Sequence, residues 1–401
     1  MNDRILTFNS GSSSLKIGLY ENNDGHAERL GKGSIDLRRN CFSFRIEKTG
    51  EQVAAAPLPE KADDKEMLKQ VFGWLVQKME IGNIKVVGHR IVHGADIFRS
   101  ACIINDKTLD YMESLIPLAP LHQPANLRLV YLVKKLYPEL IQTASFDTAF
   151  HQGQSDRVRR FAIPRILHNR GIKNYGFHGL SYQYIAEQLP KLPKDVKIQN
   201  VVVAHLGSGA SLCALKNLES TETTMSFTTL DGVPMATRCG ALDAGVMIHL
   251  LRDNRHRVSD IEYMLYHSSG LLGMSGISAD CRDLVASKLK QAKQALDVFN
   301  LRIAQEIARL AVTLQGLDSI IFTAGIGEHQ PEIREAVLEQ LRWMGIEIDY
   351  AANNANKPRL TTMNSQIAAL IIPTDEEQRI ADDAARLITE KPLNMENGES
   401  A

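Results

Sequence analysis

At 401 residues the chain is too long for one ordinary hydrophobic core and suits two domains of about 150 to 200 residues each. Hydrophobic residues make up 44% and charged residues 23%, and 46 Lys and Arg nearly cancel 47 Asp and Glu, so nothing electrostatic directs the chain to nucleic acid or to a membrane. The five cysteines, Cys41, Cys102, Cys213, Cys239 and Cys281, show no Cys-x-x-Cys spacing, which argues against a zinc site or a disulfide framework and fits a reducing cytosol. No secretory signal is read before the strand-like run Ile5 to Phe8, and no apolar run is long enough to span a bilayer, so a cytoplasmic location is expected.

In chain order, the segment Ile5 to Tyr20 predicts two strands around the polar turn Asn9-Ser10-Gly11-Ser12-Ser13-Ser14. Asn9, Ser12, Ser14 and Lys16 place several donors on one turn, as phosphate binding requires, although an ordinary serine-rich turn has the same composition. The P-loop pattern Gly-x-x-x-x-Gly-Lys-Ser/Thr is absent. Glu51 to Asp64, rich in Ala, Pro and charge, is expected to be a surface loop. Val86 to Gly94 reads as an apolar strand carrying Arg90, and a guanidinium buried there demands a carboxylate or phosphate partner, whether structural or catalytic. His89 and His93 have the spacing of helical zinc ligands, but their Val and Ile neighbours favour a strand and satisfied core histidines.

Pro120-Leu121-His122-Gln123-Pro124 fits either a constrained turn presenting one imidazole or a helix start with Pro124 in its first turn. Asp147 closes an apolar segment, where it suits a Mg²⁺ ligand or a helix cap. His178 lies in the glycine-bearing run Tyr175-Gly176-Phe177-His178-Gly179, which permits close approach of a substrate to the backbone, as a plain loop would too. Val201 to Leu215 has the construction of the first hairpin around His205-Leu206-Gly207-Ser208-Gly209, and Gly11 to Leu15 overlays Ser208 to Leu212, as an internal duplication would produce and as turn chemistry alone would by chance. Arg238 occupies a glycine-flanked turn, and Asp280-Cys281-Arg282 starts a helix with both charges near its N-terminus, patterns that surface decoration would produce as well.

Phe299, Ile303, Ile307, Leu310 and Leu314 fall on one face of a long amphipathic helix that leads into a buried strand, Ser319 to Phe322. The following glycine turn, Ala324-Gly325-Ile326-Gly327-Glu328, offers backbone N–H groups to an anion. Thr374 to Glu377 opens a last helix with Ile380, Ala384, Leu387 and Ile388 on its apolar side, and Thr374 with Glu377 has capping-box spacing. Lys391 to Ala401 reads as a frayed tail. Strands alternating with helices across glycine turns indicate an α/β fold.

Taken in order, NSGSSSLK (Asn9 to Lys16), GHRIVHG (Gly88 to Gly94), PLH (Pro120 to His122), FDTAFH (Phe146 to His151), YGFHG (Tyr175 to Gly179), HLGSGAS (His205 to Ser211), Thr237-Arg238, FTAGIGE (Phe322 to Glu328) and TDEE (Thr374 to Glu377) resemble the acetokinase family nearly end to end. The resemblance implies two duplicated ribonuclease H-like domains of the actin-like ATPase kind with a nucleotide cleft between them. An acid-binding domain would span residues 1–150 plus 386–401, and a nucleotide-binding domain residues 151–385. It implies an ATP/ADP- and Mg²⁺-dependent kinase, with Mn²⁺ as an alternative metal, acting on a short-chain carboxylate, acetate first and propionate or butyrate next. A homodimer is likewise implied.

By resemblance, Asn9, Ser12, Ser14 and Lys16 would serve the phosphates, and Arg90 with Arg238 the carboxylate and the transition state. His178 would hold the phosphoryl group in flight, His122 would support the site, and Asp147, Glu376 and Asn9 would serve the metal. The nucleotide would lie along His205-Leu206-Gly207-Ser208-Gly209, Asp280-Cys281-Arg282 and Gly325-Ile326-Gly327, and the acid against Val92, Leu121, Phe177 and Thr229. The chain departs from the family's usual residues at Ser208, Ala241 and His329, where Asn, Asp and Asn are common. It departs also at Thr229 for Pro, Leu180 for Thr and Tyr182 for His. A sugar or glycerol kinase of the same superfamily would need a carboxylate base at its acceptor, whereas arginines favour an anionic acceptor. A non-catalytic nucleotide switch of the actin or chaperone kind would bind ATP without forming an acyl phosphate. Replacing Arg90 or Arg238 with Ala is expected to cut turnover by orders of magnitude with the fold intact.

Overall fold

The computed structural model describes residues 3–10, 14–36, 41–47, 49–50, 52–54, 69, 73, 84–252 and 256–390, with the side chains of residues 14, 36, 41 and 52–54 excepted. The chain divides into two units, Met1–Ala149 with Asp375–Ala401, and Phe150–Thr374.

In the first unit, β1 (Arg4–Ser10), β2 (Ser14–Asn23), β3 (His26–Asp36), β4 (Cys41–Ile46), β5 (Gln52–Ala54), β6 (Ile84–Ile91), β7 (Cys102–Ile103) and β8 (Ile141–Phe146) form one sheet in the order β5-β4-β3-β2-β1-β6-β8-β7. Strand β1 is apolar on both faces because a helix covers each. Leu6 and Phe8 pack with Leu129 and Val133 of helix Gln123–Leu136, while Ile5 packs with Ala381, Ala384 and Ala385 of helix Glu376–Glu390. This is the period-two alternation of a strand buried on both sides. The last helix lies close on β6, since a Cβ at Gly88 would come within 2.7 Å of Ile380.

In the second unit, β9 (Asn200–Leu206), β10 (Ala210–Lys216), β11 (Glu219–Thr223), β12 (Ser319–Thr323) and β13 (Ala368–Ile371) follow the order β11-β10-β9-β12-β13. Helix Gly179–Gln188 buries Tyr182 and Ile185 against Val201, Val203, Cys213 and Ile321. The predicted long helix is Lys290–Leu314, with Phe299, Ile303, Ile307, Leu310 and Leu314 all buried. In both sheets an antiparallel three-strand meander, β1-β2-β3 or β9-β10-β11, continues through parallel strands on its other side, β6-β8 or β12-β13. The two hairpins read as duplicates in the sequence are thus the same element of one repeated topology.

Several details correct the sequence reading. Residues 52–54, expected within a surface loop, form strand β5 against β4. The predicted glycine turn at residues 324–328 is the body of a short helix, Ala324–His329, entered through a left-handed Ala324 at φ 64°. The capping box of Thr374 and Glu377 does not form: the Asp375 carboxylate accepts from the Gln378 N–H at 3.0 Å instead, and Glu377 turns to Asn9. Because that helix packs on the first sheet from its first turn, the chain crosses between units at Thr374/Asp375 and not after residue 385. Ser12 and the tail 391–401 lie outside the described residues. Among the described residues, no helix is long and apolar enough to cross a membrane.

Candidate active site

In the first unit, the candidate side chains sit where β1, β6 and β8 end. Strand β1 runs parallel to β6, and β6 to β8, with Phe8 opposite His89 and Arg90 opposite Ser145. Asn9, Arg90 and Asp147 therefore emerge together at carboxyl ends of adjacent strands, the usual ligand edge of an open α/β sheet. Arg90 grips Asp147 with two parallel bonds, Nε to Oδ1 at 3.0 Å and Nη2 to Oδ2 at 2.6 Å, and donates from Nη1 to Asn9 Oδ1 at 3.0 Å. Asn9 Nδ2 donates to Glu376 Oε2 and to Glu377 Oε1, both at 2.7 Å. Glu376 also lies 3.8 Å from Arg90 Nη1, and Glu377 lies 3.6 Å from Lys16 Nζ.

Burial works against the charge on Arg90, but Asp147 and then Glu376 outweigh it and hold its pKa above the ordinary range. Lys16 is likewise raised, chiefly by Glu377. Three carboxylates, one amide and two cations thus share one edge. Among the described residues, no group of three or more His, Cys, Asp or Glu side chains is arranged to cage a metal ion. The hard oxygen donors of Asp147, Glu376 and Asn9 nevertheless fit Mg²⁺, which is commonly held by one or two carboxylates together with substrate phosphates.

His122 stands at the N-cap of helix Gln123–Leu136, with Pro124 in the first turn, so the helix-start alternative is the one realised. That helix is tied to the segment just past Arg90: Asn126 Oδ1 accepts from Val92 N at 3.0 Å, and Gln123 bonds His93 N and O at 3.2 and 3.1 Å. Val92 is buried, whereas Leu121 is 44% exposed. His89 and His93 are core histidines as expected, and burial pushes each down to about 4.

In the second unit, His178 takes a left-handed conformation, φ 57°, at the N-cap of helix Gly179–Gln188. Its Nδ1 lies 2.8 Å from Ser211 Oγ, and its ring stacks on His205 with centroids 4.3 Å apart. A Cβ built on Gly209 would come within 2.9 Å of Arg238 Nη2 and 3.5 Å of His178 Nε2, so the second hairpin brings Arg238 and His178 together beside one glycine. Arg238 Nη1 donates to Thr229 O at 2.6 Å, and its loop is pinned where Ala236 N donates to Ser208 O at 3.2 Å and Leu271 N to Met235 O at 2.8 Å. Gly270 makes this approach possible, since its φ is 60° and a Cβ there would strike Met235 O at 2.1 Å. At the hairpin tip Gly207 neighbours Ala324, 3.7 Å from where a Cβ would sit, which puts the Gly325-Ile326-Gly327 helix beside His205 to Gly209.

Asp280 caps helix Cys281–Ala286 through Arg282 N at 2.9 Å and pairs with the Arg282 guanidinium at 2.5 Å. Among the described residues, no hydrogen bond or ion pair joins Asp280 or Arg282 to the His178 group. Of the departures, Ser208 contributes its carbonyl, Ala241 N donates to Gly232 O at 2.7 Å, and His329 reaches Glu328 at 3.8 Å.

Four residues beyond the predicted set shape these groups. Glu377 was legible only as a capping residue, yet it holds Asn9 and Lys16. Tyr182 OH lies 2.5 Å from Ser211 Oγ. His151, fully buried and pushed down to about 4 by that burial, bonds Phe177 O at 2.9 Å and Ser220 Oγ at 2.7 Å. It also packs against Gly176, where a Cβ would meet the imidazole at 2.5 Å. Arg334, fully buried, donates to Gly327 O at 3.0 Å and to Asn353 and Asn356, tying down the 324–329 helix, and burial lowers its pKa to about 10. None of these four roles follows from residue type and local spacing, because each depends on a partner from another element.

A doubled ribonuclease H-like sheet with a carboxylate-gripping arginine on one copy and an arginine–histidine pair on the other defines a phosphotransferase of the actin-like ATPase fold. Comparisons with known proteins agree. The Acetokinase family model matches residues 4–382. The chain is 40% identical over 389 residues to the acetate kinase of Rickettsia prowazekii (strain Madrid E), covering 97% of this chain and 100% of that protein. Among solved structures it resembles a propionate kinase from Francisella tularensis subsp. tularensis SCHU S4, with TM-score 0.89, 33% identity and coverage of 96% and 100%. It also resembles the Porphyromonas gingivalis acetate kinase, with TM-score 0.83, 31% identity and the same coverage. The chain belongs to the acetokinase family, ATP-using phosphotransferases whose acceptor is a carboxyl group.

Proposed function

We propose that the chain transfers the terminal phosphoryl group of ATP to acetate, giving acetyl phosphate and ADP, reversibly and by direct in-line displacement. The P–O bond to ADP breaks as a bond from a carboxylate oxygen to phosphorus forms. No general base is required, because the acid is already ionised at neutral pH. The observation that carries this reading is Arg90, a planar guanidinium already gripping a carboxylate in bidentate geometry, 2.6 and 3.0 Å, at the ligand edge of the first sheet. An anionic acceptor meeting an anionic phosphoryl group needs such charge, and Arg238 offers a second guanidinium in the other unit.

In this reading the first unit supplies the metal ligands and the second the segments that hold the nucleotide. Arg90 and Arg238 neutralise the acceptor, His178 donates to the phosphoryl oxygens, and His122 supports them. Asn9, Ser12, Ser14 and Lys16 serve the phosphates, while Val92, Leu121, Phe177 and Thr229 serve as acid-binding residues. His205 to Gly209, Asp280 to Arg282 and Gly325 to Gly327 serve the nucleotide. Glu376, Asp147 and Asn9 would hold Mg²⁺, with Mn²⁺ as an alternative. Bound metal would supply neutralisation of the β- and γ-phosphate charge. A cytoplasmic homodimer completes the proposal.

The likeness to a propionate kinase favours a second acid, and one methylene in an apolar site changes binding by only about 1 to 3 kcal/mol. Trapping acyl phosphate with hydroxylamine across acetate, propionate and butyrate, with ATP and Mg²⁺, tests the proposal. The highest kcat/KM is expected for acetate. No hydroxamate from any of the three would leave a non-catalytic nucleotide-binding protein as the better account.

A further inference from the structure

The ring of His178 is held from behind by two hydroxyls in series. Its Nδ1 lies 2.8 Å from Ser211 Oγ, and Ser211 Oγ lies 2.5 Å from Tyr182 OH. Ser211 and Tyr182 are both fully buried. A serine has one hydrogen to give, so the direction of this chain decides the tautomer of His178. If Tyr182 donates to Ser211, Ser211 donates to Nδ1 and the neutral imidazole carries its hydrogen on Nε2. If Ser211 donates to Tyr182, Nδ1 must carry it.

The chemistry favours the first direction. A phenol is a better donor and a poorer acceptor than an aliphatic alcohol, so across this contact the hydrogen passes from Tyr182 OH to Ser211 Oγ. Thr223, the other hydroxyl beside Tyr182, gives its own hydrogen to Leu212 O at 2.9 Å and could only accept from the phenol, but Ser211, at 2.5 Å, is the hydroxyl hydrogen-bonded to it. Burial pushes the phenol well above its usual range, so it keeps its proton. The Nε2 edge lies on the side of Gly209 and Arg238, where a Cβ on the glycine would come within 3.5 Å of Nε2.

We propose that Tyr182 is a positioning residue which, acting through Ser211, holds His178 as the Nε2–H tautomer with that donor directed to the Gly209–Arg238 side. The catalytic value of the tautomer rests on the proposed contact between His178 and the phosphoryl group. An Nε2 lone pair would repel the phosphoryl oxygens, whereas an Nε2–H binds them.

The test is a long-range ¹H–¹⁵N spectrum of the full chain labelled in its 12 histidines, with His178 assigned by loss of its signals in His178→Gln. Nε2 is expected to be protonated, and Nδ1 to be an unprotonated nitrogen that accepts a hydrogen bond. A protonated Nδ1 in the wild type overturns the proposal without any variant. In Tyr182→Phe the Nδ1 signal is expected to move toward that of unbonded imidazole or to split, and kcat to fall about tenfold with both KM values within about twofold. An unmoved signal overturns the relay. Ser211→Ala is expected to abolish the shift, and adding Tyr182→Phe to it to change nothing further, whereas additive losses overturn action through Ser211. If the signals shift as expected and turnover does not, the relay stands and the phosphoryl-binding role of His178 fails.

Discussion

Replacing Arg90 with Ala is expected to damage the first unit as well as turnover, against the simple reading that the fold survives the change. Asp147 is buried and takes two of its hydrogen bonds from this guanidinium, while Asn9 Oδ1 takes one. Removing one partner of a buried pair strands the other, at about 3 to 5 kcal/mol. For a unit of this size each kcal/mol shifts the midpoint by roughly 2 to 4 °C, so the variant should melt roughly 6 to 20 °C below the wild type. Removing both charges with near-isosteric neutral groups, Arg90→Met with Asp147→Asn, should recover most of that loss, to within about 1 to 2 kcal/mol, because the buried Asp147 carboxylate is no longer stranded without its guanidinium. Turnover should stay at least about a thousandfold down in both. The measurements are melting followed by circular dichroism and the hydroxamate assay run well below the lower midpoint. A double variant as unstable as the summed single variants would refute the pairing argument. Recovery of turnover along with stability would show that Arg90 serves folding and not chemistry.

Two further outcomes follow from the second unit and the buried histidines. Gly209→Ala places a methyl 2.9 Å from Arg238 Nη2, the far end of a flexible side chain, so the melting midpoint should stay within about 2 °C while kcat falls roughly 10- to 100-fold from displaced guanidinium geometry. Unchanged kcat would remove Arg238 from the chemistry. His89, His93 and His151 titrate at about 4 when folded against 6.5 unperturbed, so between these values the unfolded chain binds more protons. Stability present in full above pH 6.5 is therefore lost as pH falls toward 4, by roughly 3 kcal/mol for each histidine at the limit. Denaturant unfolding across that range should show the slope, and His151→Gln should reduce it by about one proton; an equal slope in the variant would contradict the burial argument.

Local elements were readable because the physics that makes them is local. The helix Lys290–Leu314 declares itself through five apolar residues on one stripe, and both hairpins through apolar runs around small polar turns. Arg90 in an apolar strand announced the need for a partner, and that partner is Asp147, a residue singled out for metal binding. Glu377 was misread because capping spacing is a property of one helix, whereas its position is decided by Asn9 from the opposite end of the chain. Strands β3 and β4 gave little signal, being interrupted by Gly31, Gly33, Ser34 and Ser43, and they are strands because β2 supplies a template for β3 and β3 one for β4. The stack of His178 on His205 depends on how helix Gly179–Gln188 packs over β9, which no single segment encodes.

The final helix, Glu376–Glu390, has a consequence for how the molecule is made. Ile5, Tyr20 and Val86 are translated before the second unit, and the alanines that cover them, Ala381, Ala384 and Ala385, after it. The second unit holds its own residues in one continuous stretch, Phe150–Thr374, and is free to mature while synthesis continues. The N-terminal sheet must meanwhile wait with one apolar face bare, which makes it the stage at which a nascent chain is most exposed to aggregation. Moving the helix ahead of β1 by circular permutation would let that sheet close first.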